Sequence, residues 1–248
     1  MLANEKFSLK IRDYINSPET KREYNQQHFG EAAKHYDLAT RAMSLGRDMA
    51  WKRKLIAALP EASQPVCVDL ACGTGDVSYL LAERYPHGRI TGLDLTEKML
   101  DLARKRHSAD NLSFVRGDMG RTQLDDLSVD IVTGSYAVRN APDLRESFAE
   151  IRRILKPDGV VALLDFSKPP SRWFQKIQYW VLRYWCGFWG LMLHGNPEVH
   201  SYIAASLKVY PDRNDLRRLL AENGFRVTTA RRFYLGTLEL LVLRKNGN

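Results

Sequence analysis

An acid, two glycines one residue apart and a second acid stand in order along Val68-Asp69-Leu70-Ala71-Cys72-Gly73-Thr74-Gly75 and at Asp94. Gly73 and Gly75 permit tight backbone geometry and close approach of a ligand. A helix that opens there offers free N–H groups. Asp94, followed by Leu95, lies about 20 residues on, where a carboxylate can accept both hydroxyls of a ribose. The third glycine of the dinucleotide pattern is replaced by Ser78. Asp69 beside the loop opposes a diphosphate and suits a cation. The expected ligand is therefore a nucleoside bearing positive charge, and S-adenosylmethionine (SAM) is favoured over NAD. A generic strand–helix turn is the blander reading, and the acid–glycine–acid spacing weighs against it. After a third strand, Asp118 in Gly117-Asp118-Met119 can accept from an adenine amino group.

These residues need a strand before each loop and a helix after it, and the pattern supplies them. Val66–Ala71, Arg89–Asp94, Leu112–Arg116, Val129–Ser135 and Val160–Phe166 read as short apolar strands. Between them, Asp76–Tyr85, Glu97–His107 (capped by Thr96) and a helix from Asp143 to about Leu155 read as helices. Lys156-Pro157-Asp158-Gly159 reads as a turn. Strands alternating with helices mean βαβ units and a parallel sheet. The expected fold is α/β and Rossmann-like, a doubly wound, mostly parallel seven-stranded sheet with an antiparallel edge strand. It is read as one domain over 1–248, with an N-terminal helical region at 1–60 and a cofactor-binding core at 66–166. An aromatic helical cap at 167–211 follows strand five, then a helix and hairpin at 212–245. Residues 1 to about 28 read as a loosely packed arm with room for one helix, and 31–59 as helical with a break at Gly46.

A length of 248 residues allows one large core. The net charge of +8 suits nucleic acid, an anionic membrane or an acidic ligand, so its distribution has to decide. The basic residues are spread, and no N-P-P-[YF] base-flipping motif occurs, so no nucleic-acid partner is expected. Three cysteines without a C-x-x-C imply neither a disulfide framework nor a zinc site, and the histidines lack metal-ligand spacing. No metal is expected. The charged N-terminus lacks an apolar signal core, and no apolar run is long enough to span a bilayer. The expected location is the cytoplasm.

The same loop resembles class I SAM methyltransferases. Three further segments are similar to the UbiE/MenG family, the C-methyltransferases of ubiquinone and menaquinone biosynthesis. They are Tyr36-Asp37-Leu38 through Met43-Ser44-Leu45-Gly46 to Trp51-Lys52-Arg53, then Ser135-Tyr136-Ala137-Val138-Arg139-Asn140, then Arg153-Ile154-Leu155-Lys156-Pro157-Asp158-Gly159 to Leu164-Asp165-Phe166-Ser167-Lys168-Pro169. The resemblance covers roughly 29–245. It implies cofactor contacts from Thr74, Asp94, Asp118, Met119 and Ser135. It implies an acceptor pocket around Tyr36, Arg139, Asn140 and Tyr202. Departures lie on the acceptor side: Thr40 for an Asn, Tyr136-Ala137-Val138 for Phe-Gly-Leu, Asp165 for a Glu, and His200 for a Tyr. Gln123 to Leu127 replaces the usual Pro-Phe-x-Asp.

The implied reaction is attack by an electron-rich ring carbon of a quinol on a sulfonium methyl, which demands near-linear positioning and stabilisation of a forming phenolate. Arg139 suits the second role; a structural salt bridge is its blander reading. It stays charged and is a poor base, and Asn140 can orient the same hydroxyl. His200 has the pKa range of a base, although a packing histidine is the commoner case. The segment 172–195 is dense in aromatics, including Trp180, Trp185 and Trp189, with three basic residues and no acid. It suits a membrane interface or a lid over an apolar tail; an ordinary cap helix buried in the core or in a homodimer is the alternative. Competing functions are a methyltransferase for other small aromatic or natural-product acceptors, and a catalytically silent SAM-fold partner in a quinone-enzyme assembly.

Overall fold

The computed structural model describes residues 17–246, so the expectation for the extreme N-terminus lies outside the described residues. The sheet order is β3-β2-β1-β4-β5-β7-β6. The strands are β1 (Val66–Leu70), β2 (Arg89–Asp94), β3 (Leu112–Arg116), β4 (Val129–Ser135), β5 (Leu155–Phe166), β6 (Phe225–Phe233) and β7 (Leu238–Lys245). The first five pair in parallel, and the antiparallel pair at the edge has β7 inside against β5 and β6 outside. The expected Rossmann-like sheet is thus the observed one.

Strand periodicity divides the core into two layers. Val68 and Leu70 of β1 and Val161 and Leu163 of β5 face one layer. Cys67, Val160, Ala162 and Leu164 face the other. Central strands covered on both faces read as continuous apolar runs for this reason. The first layer is completed by α6 (Leu144–Ile154), α8 (Glu198–Val209) and α9 (Arg213–Glu222), through Phe148, Ile151, Ile203, Leu207, Leu216 and Leu220. The second is completed by α3 (Asp48–Ala57) and α4 (Asp76–Arg84), through Trp51, Leu55, Val77 and Leu81. Three further helices are α1 (Pro18–Ala32), α2 (Tyr36–Met43) and α7 (Arg172–His194); α7 packs on α8 and α2, α1 packs on α5 (Glu97–Arg106), and α5 flanks β2 and β3.

Three local expectations are corrected. The arm is a helix from Pro18 onward, as its helical reading allowed, but it is not loosely packed: Tyr24, Asn25 and His28 are buried, and Ser17 accepts the Thr20 N–H at 3.2 Å with proline in the first turn. Thr96 gives α5 no side-chain cap; its own N–H is instead taken by Asp94 Oδ1 at 2.8 Å. Lys156 to Gly159 is absorbed into β5 as a bulge, because Val129 pairs with Leu155 while Ile131 pairs with Val160. The expected break is observed at Gly46, with φ 77°.

Candidate functional site

The sheet order reverses between β1 and β4, and ligand crevices form where loops diverge at such a point. The chain leaves these two strands through Ala71 and Tyr136, both with left-handed backbone (φ 50° and 58°). Such conformations are costly for non-glycine residues and cluster at functional sites. The loop after β1 needs its glycines. Gly75 has φ 87°, and a Cβ there would stand 2.8 Å from Phe114. The Gly73 N–H donates to Asp94 Oδ2 at 2.8 Å, which ties the loop to the end of β2.

A cleft opens above this loop, lined by Gly73, Asp94, Leu95, Met119, Ser135 and Asn140 among others. Asp118 lines it too. Burial raises the Asp94 carboxyl above its usual range, against the Thr96 and Gly73 N–H groups that favour its charge. Ser135 Oγ is buried without a hydrogen-bond partner. A hydroxyl left unspent beside a carboxylate, with no lysine or arginine in the lining, fits a nucleoside that carries positive charge.

Two residues expected at the cofactor sit differently. Asp69 lies beneath the loop, where it accepts from Ser78 Oγ at 2.7 Å and Thr133 Oγ1 at 2.8 Å. Burial raises its pKa to about 6 in spite of those bonds. With both oxygens engaged, it braces β1, β4 and α4. Thr74 is buried and donates to Asp37 at 2.7 Å, facing a small side cavity that it shares with Gly73 and Ser135. The expected adenine acceptor, Asp118, is already gripped by Arg22 Nε at 2.5 Å and the Gly120 N–H at 2.8 Å.

Arg22 belongs to α1, which crosses the cleft. Its other donor reaches Glu146 at 2.6 Å, Asn25 donates to the Asn140 carbonyl at 2.7 Å, and Phe29 lines the cleft wall. These residues were not legible as site residues because the segment reads as loosely packed rather than as part of the cleft. The signals were there in Ser17-Pro18 as a helix start and in the four-residue spacing of Tyr24–His28 and Asn25–Phe29.

A second cavity of about 780 Å³ adjoins the first and is walled mainly by apolar side chains. Arg139, Tyr202, His28 and His200 bring polarity to its wall. The Arg139 guanidinium is buried. It donates to Ser206 Oγ and, at 3.4 Å, to the Tyr202 hydroxyl, and its Nε lies 3.8 Å from Asp165. Phe166 and Tyr202 rings flank it at 5.3 and 5.2 Å. Burial opposes its charge, but Tyr202 and Asp165 more than offset burial and its pKa rises. His200 is pushed down to about 4 by burial and by His194, and its Nε2 has no hydrogen-bond partner. His28 packs against Tyr202 with ring centres 4.2 Å apart; burial, with charge from His200 and Arg139, depresses it to about 3.

Asn140 is a correction. Its amide donates to the Tyr136 carbonyl at 3.0 Å, and it lines the first cleft rather than the apolar cavity. Tyr36 lines both spaces. Of the aromatic trio on α7, Trp180 is 51% exposed. Trp185 turns inward, lines the cavity and donates to the Met43 carbonyl at 3.0 Å, and Trp189 is half-buried. Trp173, at 65% exposure, joins Trp180 on the outer face.

A model of the ubiE/COQ5 methyltransferase family matches residues 17–240. The chain is 34% identical over 217 residues to a demethylmenaquinone methyltransferase of Deinococcus radiodurans, covering 87% of this chain and 90% of that protein. It is 33% identical over 201 residues to the demethylmenaquinone methyltransferase of Thermotoga maritima, covering 81% and 87%. Among solved structures, a chain of the complex between the Haloferax volcanii Trm112 methyltransferase activator and a methyltransferase shares the fold. Its TM-score is 0.65 at 19% identity, over 88% of this chain and 98% of that one.

Proposed function

Since the chain belongs to the ubiE/COQ5 methyltransferase family and is a SAM-dependent methyltransferase, we propose that its acceptor is a quinol ring with an apolar tail, the demethylmenaquinol type that its relatives' names indicate. The observation that carries this reading is the junction of the two spaces. Among the described residues, Phe29, Tyr36 and Tyr136 alone line both the cleft and the apolar cavity. A ring held at this aromatic aperture leaves the remaining volume for its tail.

S-adenosylmethionine supplies an electrophilic methyl group when bound. Asp94, Leu95, Asp118, Met119 and Ser135 would hold its nucleoside end, with Gly73 permitting close approach and Thr74 at the side cavity. Loss of the acceptor hydroxyl proton to solvent through the open mouth of the cavity would make the ring carbon nucleophilic. Arg139 stabilises the oxygen that becomes negative, because it is a fixed, poorly hydrated charge in an apolar wall. His200 is neutral at ordinary pH and reachable from the cavity, but its depressed basicity makes it a weak proton acceptor. Asn140, whose amide donates to the Tyr136 carbonyl, would hold that tyrosine at the aperture.

The mouth of the cavity favours a lipid surface. Phe174, Ile177 and Val181 of α7 line the cavity and are also exposed, and Leu45 and Leu235 stand beside them at 59% and 108% exposure. Arg172, Lys176 and Arg183 accompany them. No described helix is long and apolar enough to cross a membrane. Peripheral docking on an anionic bilayer would let the tail enter without crossing water.

Incubation with methyl-labelled SAM and a panel of demethylated quinols tests the acceptor. Label on a ring carbon of tailed quinols is expected; label only on unrelated phenols, or none at all, would overturn the quinol assignment.

A further inference from the structure

Tyr136 is held more firmly than packing at the aperture requires. Its left-handed backbone persists only where the surroundings over-determine it. Its N–H donates to the Leu164 carbonyl at 2.7 Å, and its carbonyl accepts from Asn140 at 3.0 Å. Its ring leans on Phe166 with centres 5.9 Å apart. Its hydroxyl donates to Asp48 Oδ1 at 2.8 Å. Asp48 is a buried acid on α3, balanced by Lys52 at 2.6 Å. Lys52 also bridges Asp76 at 2.9 Å, the first residue of the helix that follows the glycine loop. A buried chain of charge thus runs from the cofactor loop to the phenol at the aperture. Breaking such a chain is costly and its geometry is fixed, so it is suited to holding one group in one place.

We propose that Asp48 is a positioning residue that, by tethering the Tyr136 hydroxyl, fixes the width of the aperture and so selects acceptor rings by the bulk carried on the attacked carbon itself, the ring carbon next to the ionising hydroxyl. The inference rests on the aperture being the passage for methyl transfer. A ring with hydrogen on that carbon passes the fixed tyrosine edge, its tail lying on the side of the apolar cavity; a ring with a larger group on that carbon meets the edge. Rejection by a rigid wall discriminates only as long as the wall cannot move.

The test is calorimetric titration of the full chain, loaded with S-adenosylhomocysteine, with naphthol and with its derivative bearing an ethyl group beside the hydroxyl. Wild-type protein should prefer naphthol. Tyr136→Phe and Asp48→Ala should each cut that preference about fivefold, the equivalent of one hydrogen bond. Asp48→Asn, which keeps an oxygen at the same reach, should retain most of it. A preference unchanged in Tyr136→Phe overturns the inference, and this variant leaves the charged chain intact should Asp48→Ala not fold. Failure of wild-type protein to bind either naphthol would instead overturn the acceptor-cavity reading on which it rests.

Discussion

Burying a guanidinium is tolerated only where partners offset its lost hydration, and Arg139 meets that condition through Asp165, Ser206, Tyr202 and two flanking rings. It is a fixed charge with little freedom to reorient, which suits stabilisation of an oxyanion better than transfer of a proton. Arg139→Lys keeps a charge but loses the planar fork. It should lower kcat by about 100-fold or more. Affinity for S-adenosylhomocysteine should stay near wild type by calorimetry, because Arg139 lines only the apolar cavity. Equal losses in both would remove it from the chemical step. At this scale the sequence was informative about type and silent about partner. The acid before the glycines is visible in Asp69, yet only the folded contacts show that Ser78 and Thr133 occupy it. Asp118 was legible in the same way, whereas the Arg22 that grips it, 96 residues away in sequence, was not.

The elements that cover the cleft were read less well than those that form it. Strands β1 to β4 are short segments rich in apolar and β-branched residues and bounded by loops, and their limits lie within a residue of those read from the sequence. Helix α1 carries mostly polar residues, because much of what it buries is polar too: Asn25 and Arg22 bond to loops of the core. Its amphipathic pattern is therefore weak. Helix α7 has the opposite problem. Its aromatics are conspicuous, but which of them face outward depends on helical phase against α8. Trp173, Trp180 and Tyr184 are exposed and Trp185 is not. Replacing Trp173 and Trp180 together by Ser should weaken sedimentation with anionic liposomes about tenfold. Undiminished sedimentation would show that this face does not dock on lipid.

Across the whole molecule, buried histidines set a dependence of stability on pH. A histidine with a folded pKa below its unfolded value stabilises the fold fully above the unfolded value, and that contribution is lost as pH falls toward the folded one. For His200 the window runs from 6.5 down to about 4. Asp69, raised to about 6, acts in the opposite sense and gains stability on acidification. The difference between wild type and His200→Phe isolates the histidine. Between pH 7 and about pH 5, wild type should lose about 2 kcal/mol more than the variant in denaturant unfolding. Parallel losses would mean that His200 titrates normally. The sequence by itself determined the sheet, its cofactor loop and the class of chemistry, because strand periodicity, glycine geometry and acid spacing act over short stretches of chain. Only the tertiary structure decided what stands between the cleft and the apolar cavity. Phe29, Tyr36 and Tyr136 come from α1, α2 and the end of β4, and Asp48 from α3. Their meeting is set by how helices pack over the strand ends, which no local pattern encodes.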